Sequence, residues 1–318
     1  MWLWEVESEL TRPENEHEFA LIEDLRSLRR WFAVEAPAWV IGYGQTWFPW
    51  AAGSYPLILL RSDITHSETE VRSAGQVLSL NNPPRTKLPL FEIGTNVPTP
   101  SSSLFRKGFS KLFSPSPAIY PAGSNHYGTA GVTVRLADGT QGIATAGHVF
   151  RNGVGQEAES VSGVWPFRRR TRLGTVALHM MPSPTTGPGW DIAVVRPERK
   201  VASVRRGVIR HPSARIGLEP AYARGATSGL VDDIEITAGL EEIRGIAGMT
   251  WYACWFIGPT AALRGGDSGT PLFSQQDDKL LGIYVGHATN KRGEVTALFV
   301  QDAYSIQHNV LNDWQATF

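Results

Sequence analysis

The chain has 318 residues, 42% of them hydrophobic and 19% charged, which is enough apolar material for a buried core and excludes a disordered protein. Thirty basic and thirty acidic residues cancel, so no overall field attracts nucleic acid or anionic lipid, and neither partner is expected. The single cysteine, Cys254, excludes an intrachain disulfide and a metal site built from cysteines. No segment approaches the roughly 18 uninterrupted apolar residues of a membrane span, and the acidic N-terminus lacks the pattern of a secretory signal, so a soluble, cytoplasmic protein is expected.

Residues 1–95 are expected to form a small α+β module, because a linker would not carry six of the eleven tryptophans. The spacing of apolar residues predicts a helix over 14–32, with one face formed by Leu21, Leu25, Leu28 and Phe32. Residues 38–44 and 57–63 have the composition of buried strands between turn-forming Gly and Pro. The module contains no functional motif, so its role as a regulator or a recognition module stays open, as does the alternative that residues 1–123 together are a propeptide.

Residues 96–123 are dense in Pro and Ser, which disfavours regular structure and predicts an exposed linker. Within them, the basic and apolar segment 104–113 has two interpretations. It can lie on a membrane surface, or it can be an ordinary linker docked on the protein, which its glycine and its short length favour.

Residues 124–318 consist of short β-rich segments separated by turns. The segments 128–136 and 141–150 flank an Ala-Asp-Gly-Thr turn and predict a β-hairpin. Further strand-like segments follow without long helices between them, which favours antiparallel sheets that form a sandwich or barrels. Residues 301–315 show helical spacing after a possible N-cap at Asp302, so a closing helix is expected.

Three short motifs carry the chemistry. Ser268 lies in the glycine-rich sequence 265-GGDSGTP-271, His148 follows an apolar segment in 145-TAGHV-149, and Asp191 opens the apolar segment 190-WDIAVV-195. A serine hydroxyl is a weak nucleophile, so acyl transfer needs a base, a group that orients the base, and N–H donors for the oxyanion. Each of the three also has a structural interpretation: a glycine-rich surface turn, a core histidine bonded to backbone, and a cap at the start of a strand.

In the order His, Asp, Ser, these motifs resemble those of the chymotrypsin/trypsin-like serine peptidases, over about residues 124–318. The resemblance implies two antiparallel β-barrels and a catalytic triad in which Ser268 is the nucleophile, His148 the base and Asp191 its orienting carboxylate. It also implies an oxyanion hole formed by the N–H groups of Gly266 and Ser268. A weaker similarity links residues 222–233 to the strand that opens the second barrel in bacterial members.

The same resemblance places a substrate pocket around Ala262, Leu263, Tyr284, Gly286 and His287. The pocket floor carries no carboxylate, so a small or medium apolar side chain is expected in it, while His287 offers the alternative of an acidic one. In secreted members of the family, the counterpart of Asp267 pairs with an N-terminal amine freed by cleavage. Here the barrel begins well inside the chain, so Asp267 needs another partner or the linker must be cut.

The sequence therefore predicts a serine endopeptidase without metal or cofactor, acting on a protein or peptide substrate by limited, regulated cleavage. A regulatory partner of the N-terminal module is a further expectation. The alternative is a catalytically silent scaffold with this fold, in which residues 1–95 perform the main task.

Overall fold

The computed structural model describes the chain in thirteen ranges, which are residues 16–47, 54–61, 67–81, 90–95, 99–100, 117–162, 169–183, 189–199, 204–210, 220–245, 249–257, 263–289 and 295–318. Most described residues lie in two β-sheets, with two helices near the N-terminus and a short one near the C-terminus.

The N-terminal region alternates helices and strands: α1 (Glu16–Val34), β1 (Val40–Trp47), β2 (Ser54–Arg61), α2 (Glu68–Asn81), β3 (Leu90–Thr95) and β4 (Thr99–Pro100). The predicted apolar face of α1 is buried and packs on one face of β1 and β2, where Leu78 of α2 joins the same core. The opposite face of β1 and β2 packs against residues of 238–254. The four residues that the sequence predicts for the apolar face of α1 are thus buried, as expected from their spacing.

The first sheet contains eight of the described strands, which are β5 (Ala118–Pro121), β6 (Gly128–Thr129), β7 (Val132–Arg135), β8 (Gln141–Thr145), β9 (Glu157–Ser162), β10 (Arg169–Met180), β11 (Ile192–Pro197) and β12 (Arg205–Arg206). Their order across the sheet is β12-β7-β8-β11-β10-β9-β5-β6. Strands β7 and β8 form the predicted hairpin, and Gly139 in its turn has φ +78°.

The second sheet includes β13 (Pro220–Gly225), β14 (Gly229–Arg244), β15 (Thr250–Ile257), β16 (Pro271–Ser274), β17 (Leu280–Thr289) and β18 (Val295–Asp302). These six strands run in the order β13-β16-β17-β18-β15-β14, and β13 also pairs with β14, so the ring closes into a barrel. A short helix, α3 (Ala303–Ile306), follows β18. Asp302 caps it by accepting a hydrogen bond from the Ser305 N–H at 2.8 Å.

The N-terminal strands extend this barrel. Strand β1 pairs with β14, β2 with β1, and β3 with β2, so the sheet continues outward from the barrel wall. The two strands β1 and β14 come very close at Gly44, where a Cβ would lie 2.1 Å from the Gly239 carbonyl oxygen. Strands β1, β2 and β3 thus belong to the same sheet as β16, the strand that follows Ser268.

The predicted mainly β fold with two sheets and a C-terminal helix is confirmed. Within residues 124–318, for which antiparallel sheets were predicted, the pairing of β12 with β7 is parallel and departs from that prediction. The range predicted as a linker differs in two places, because β4 pairs with β17 and β5 already belongs to the first sheet. Segment 104–113 lies outside the described residues, and the division into 1–95, 96–123 and 124–318 stays a prediction. Within the thirteen described ranges, no helix has the length and apolar character needed to cross a membrane.

Candidate active site

His148 lies in a short 3₁₀ helix (Gly147–Val149) that follows β8 of the first sheet. Its side chain is 3% exposed, and its Nδ1 lies 2.6 Å from Oδ2 of Asp191. The His148 backbone N–H also donates to Asp191 Oδ1 at 2.7 Å, so one carboxylate fixes both the ring and the main chain. Gly147 permits this approach, since a Cβ there would lie 2.2 Å from the Met180 carbonyl oxygen.

Asp191 directly precedes β11 and is fully buried. Its backbone N–H donates to Gln301 Oε1 of β18, in the second sheet, at 2.7 Å. The amide nitrogen of Gln301 donates in turn to the carbonyl oxygens of Gly189 and Tyr252. A side chain of the second sheet thus anchors the carboxylate-bearing residue of the first.

Ser268 lies in the loop that leads into β16, in the second sheet, and is fully buried. Its Oγ lies 2.9 Å from Nε2 of His148. The Ser268 carbonyl oxygen accepts a hydrogen bond from the Thr129 N–H of the first sheet at 2.7 Å, which ties the serine loop to the sheet that carries the histidine. The structure therefore brings together His148, Asp191 and Ser268, which the sequence separates by 120 residues.

Two glycines give the serine loop its shape. Gly266 has φ +95° and Gly269 has φ +91°, in the left-handed region that other residues rarely adopt. A Cβ on Gly266 would also lie 2.4 Å from Thr227 Oγ1 and 2.5 Å from the ring of Tyr127. The glycine at 266 is therefore required both by its dihedral angle and by the space around it.

Asp267 finds its partners within the folded chain. Its Oδ1 accepts hydrogen bonds from the N–H groups of Thr227 and Ser228, and its Oδ2 accepts from the Arg264 N–H and the Ser228 hydroxyl. Burial raises the pKa of Asp267 above its ordinary value, and these hydrogen bonds act in the opposite direction. The sequence left two possibilities for Asp267, a partner other than a freed N-terminal amine or cleavage of the linker. The structure shows such other partners in Thr227, Ser228 and Arg264.

A second hydrogen-bond chain orients the peptide group before Gly266. Thr227 Oγ1 donates to the Gly265 carbonyl oxygen at 3.1 Å and lies 3.0 Å from the hydroxyl of Tyr127. In a trans peptide the C=O and the following N–H point in opposite directions. Fixing the Gly265 carbonyl toward Thr227 therefore turns the Gly266 N–H away from Thr227.

The residues predicted to form the substrate pocket lie mainly on β17. The Tyr284 hydroxyl is 3.0 Å from Nδ1 of His287, and Gly286 precedes that histidine in the strand. Burial lowers the pKa of His287 below its ordinary value. Leu263 is buried at the start of the serine loop, while Ala262 lies outside the described residues.

An open cavity of about 350 Å³ lies beside His148. It is lined by residues 121–124 and His126, at the end of β5 and in its connection to β6, and by residues around the histidine, including Arg151 and Asn152. In the part of the chain that the structure describes, no group of three or more His, Cys, Asp or Glu side chains is placed to hold a metal ion.

Three of the solved structures that are similar to this chain are described as proteases. A Nocardiopsis protease is 19% identical, with a TM-score of 0.42 over 64% of this chain and 96% of that one. A glutamic acid specific serine protease is also 19% identical, with a TM-score of 0.46 over 64% and 98%. Tobacco etch virus protease is 16% identical, with a TM-score of 0.35 over 63% and 85%. No protein-family model and no curated protein matches the chain.

Three residues of the site were not predicted from the sequence. Gln301 bonds the backbone of Asp191, Thr227 bonds the Gly265 carbonyl oxygen, and the Tyr127 hydroxyl contacts Thr227, while none of the three lies within a motif. Thr227 lies inside the segment 222–233, but the similarity of that segment to the strand that opens the second barrel in bacterial members does not indicate this hydrogen bond. Gln301 had a usable signal, since an amide side chain inside the apolar strand 295–302 needs a buried hydrogen-bond partner.

Proposed function

We propose that the protein is a serine endopeptidase that hydrolyses peptide bonds through an acyl-enzyme. One observation carries the proposal: Asp191, His148 and Ser268 form a continuous buried chain with contacts of 2.6 and 2.9 Å. A carboxylate, an imidazole and a hydroxyl in this order can remove the proton of the hydroxyl as it attacks.

In the first half-reaction, Ser268 Oγ attacks the carbonyl carbon of the scissile peptide bond and its proton passes to His148 Nε2. The carbonyl oxygen becomes an oxyanion, for which the N–H groups of Gly266 and Ser268 are the proposed donors. The C–N bond then breaks, and the amine leaves with the proton from Nε2. Asp191 holds the ring so that Nε2 faces the serine, and it stabilises the imidazolium that forms.

In the second half-reaction, a water molecule gives a proton to His148 Nε2 and attacks the ester carbon of the acyl-enzyme. The ester C–O bond breaks, Ser268 regains its proton from His148, and the carboxylic acid product leaves. The cavity beside His148 is open to solvent and is the proposed route for the leaving amine and for this water.

The pocket near Leu263, Tyr284 and His287 is proposed to accept a small or medium apolar side chain. Burial lowers the pKa of His287 and so disfavours the charged imidazole that would attract an acidic side chain, which supports the apolar preference. Mapping cleavage sites on a peptide library distinguishes the two. A dominant preference for Arg or Lys would contradict both.

Residues 1–95 are proposed to regulate the peptidase or to recognise its substrate. Their strands continue the barrel that carries Ser268, so a partner that binds them acts on the same sheet as the catalytic loop. This arrangement supports limited cleavage of particular proteins.

The test of the proposed function is peptide hydrolysis by Ser268→Ala. We expect kcat/KM to fall at least about 10³-fold, because the triad acts as a unit. The matched control is Ser274→Ala, which removes the hydroxyl of another fully buried serine, in β16, and should keep most of the activity. Equal activity in Ser268→Ala and the wild type would refute the proposal.

A further inference from the structure

Strand β17 has two edges, and only one of them is covered by a long neighbouring strand. The other edge begins beside the loop that carries Ser268 and can pair with a further chain segment. Strand β18 pairs with β17 from Gly282, which lies opposite Asp302, to Thr289, which lies opposite Val295. It therefore covers one edge of β17 along that length. On the other edge, β16 pairs only with the beginning of β17, ending at Ile283. Next comes Tyr284, which exchanges hydrogen bonds of 2.8 Å with Gly269 and Thr270, the two residues that follow Ser268.

The next residues along this second edge are paired with the protein's own chain. Thr99 and Pro100 of β4 lie opposite His287 and Gly286 in an antiparallel register. Since β18 covers the other edge, β4 must lie on the edge that carries residues 269–270. At about 3.4 Å per residue, the pairing at Gly286 lies about 7 Å along the strand from Tyr284.

The direction of β4 matters as much as its position. In the antiparallel register, the step from Thr99 to Pro100 runs from His287 to Gly286 and therefore heads toward Tyr284 and the Ser268 loop. An extended peptide that adds to a free strand edge makes main-chain hydrogen bonds with little demand on its sequence. A peptide that approaches Ser268 along β17 needs this same edge.

We propose that residues 99–100 are an intramolecular occupant of the peptide-binding edge of β17, and that an extended peptide substrate binds only when they leave it. The inference rests on the proposed function. It concerns the regulation of that site and goes beyond the chemistry of the triad.

The tether and the length of β4 fit a removable occupant. Strand β3 ends at Thr95 within the same sheet, four residues before Thr99, so β4 is held near the edge at a high effective concentration. Yet β4 has only two residues, and Pro100 has no N–H to donate. Thr99 carries the single backbone N–H of the strand, so few hydrogen bonds must break when a substrate arrives.

The first experiment compares two probes that react with Ser268. A small alkyl fluorophosphonate needs only the serine, whereas a tripeptidyl phosphonate must also lie along β17. In Thr99→Pro, which removes the N–H of β4, we expect the tripeptidyl probe to react at least about fivefold faster than with the wild type, because the competent fraction rises. The small probe should react at an unchanged rate. Thr99→Ala keeps the N–H and is the matched control, with wild-type rates for both probes.

A second experiment avoids reliance on a proline substitution. Residues directly opposite in an antiparallel pair have Cα atoms about 4.5–5.5 Å apart, within the range of a disulfide. In Thr99→Cys/His287→Cys, oxidation should hold β4 on the edge and abolish reaction with the tripeptidyl probe, and reduction should return the rate to that of the His287→Cys single variant, which already lacks the pocket histidine. The native Cys254 is buried, and burial raises the pKa of its thiol, so it stays out of the exchange.

The outcomes separate the two proposals. Equal rates of the tripeptidyl probe in Thr99→Pro, Thr99→Ala and wild type, together with equal rates in the oxidised and reduced double variant, would overturn the occupancy of the edge and leave the peptidase intact. If the small probe fails to modify Ser268 in all of these chains, the wild type included, the result would overturn the proposed function, and the inference with it.

Discussion

The side-chain oxygen of Gln301 accepts a hydrogen bond from the backbone N–H of Asp191 at 2.7 Å, across the boundary between the two sheets. Asp191 and His148 belong to the first sheet and Ser268 to the second, so their alignment depends on how the sheets meet. Gln301 fixes this meeting point beside the carboxylate.

Replacing Gln301 by Leu should therefore lower activity through the position of Asp191. The variant loses the acceptor for the Asp191 N–H and the donor for two carbonyl oxygens, and we expect kcat to fall about tenfold or more with a smaller change in KM. Steady-state kinetics on a peptide substrate measure both. The matched control is Gln307→Leu, since Gln307 is a buried glutamine that bonds Asn312, Ala316 and Phe318 near the C-terminus. If the two variants lose similar stability and have the same kcat, the result would contradict the positioning role of Gln301.

Thr227 should act on the oxyanion donor. Thr227→Val keeps the shape and the backbone N–H bonded to Asp267, and removes only the hydroxyl that holds the Gly265 carbonyl. A misdirected Gly266 N–H stabilises the transition state less, so we expect kcat to fall about 10- to 100-fold while KM changes little. Thr227→Ser restores the hydroxyl and should recover most of the rate. A Thr227→Val enzyme with wild-type kcat would show that the Gly265 carbonyl needs no such hydrogen bond.

Asp302 should make stability depend on pH. Burial raises its pKa from 3.8 to about 6, against hydrogen bonds from Ser305 and Trp255. The folded protein thus holds this proton more tightly than the unfolded chain. The resulting contribution, roughly 3 kcal/mol, is fully present below about pH 4 and is lost as the pH rises through about 6.

Chemical denaturation of the wild type and Asp302→Asn between pH 4 and 8 measures this contribution. Asparagine keeps an oxygen to cap α3 but does not titrate. The free energy of unfolding of the variant minus that of the wild type should therefore increase as the pH rises through about 4 to 6 and level off above. A difference that stays constant over the range would show that Asp302 does not carry the effect.

The sequence predicted the parts of the fold that local patterns determine. The hairpin of β7 and β8 follows from a turn glycine between two apolar segments, and α1 follows from one apolar stripe. Helix α2 was missed because its buried face is narrow. Its start nevertheless carries a signal, a capping box in which the Ser67 hydroxyl and the Glu70 carboxylate each bond the other's backbone N–H.

Contacts between distant segments could not be predicted in this way. The pairing of β1 with β14 joins residues about 200 positions apart, and neither strand's composition specifies its neighbour. The same holds for β4, because Pro and Ser around 96–123 indicate a linker whether or not two of its residues pair with β17. The three motifs predicted which residues form the candidate triad, but the residues that position them, Gln301 and Thr227, depend on how the two sheets and their loops pack.

The most direct measurement of the central claim is the site of modification by a fluorophosphonate in the intact chain, read by peptide mass spectrometry. We expect one adduct per chain, on Ser268, none in Ser268→Ala, and slow modification in His148→Ala, since the hydroxyl then lacks its base. If Ser268 stays unmodified both in the intact folded chain and after cleavage between residues 96 and 123, the result would contradict the peptidase and favour a binding scaffold.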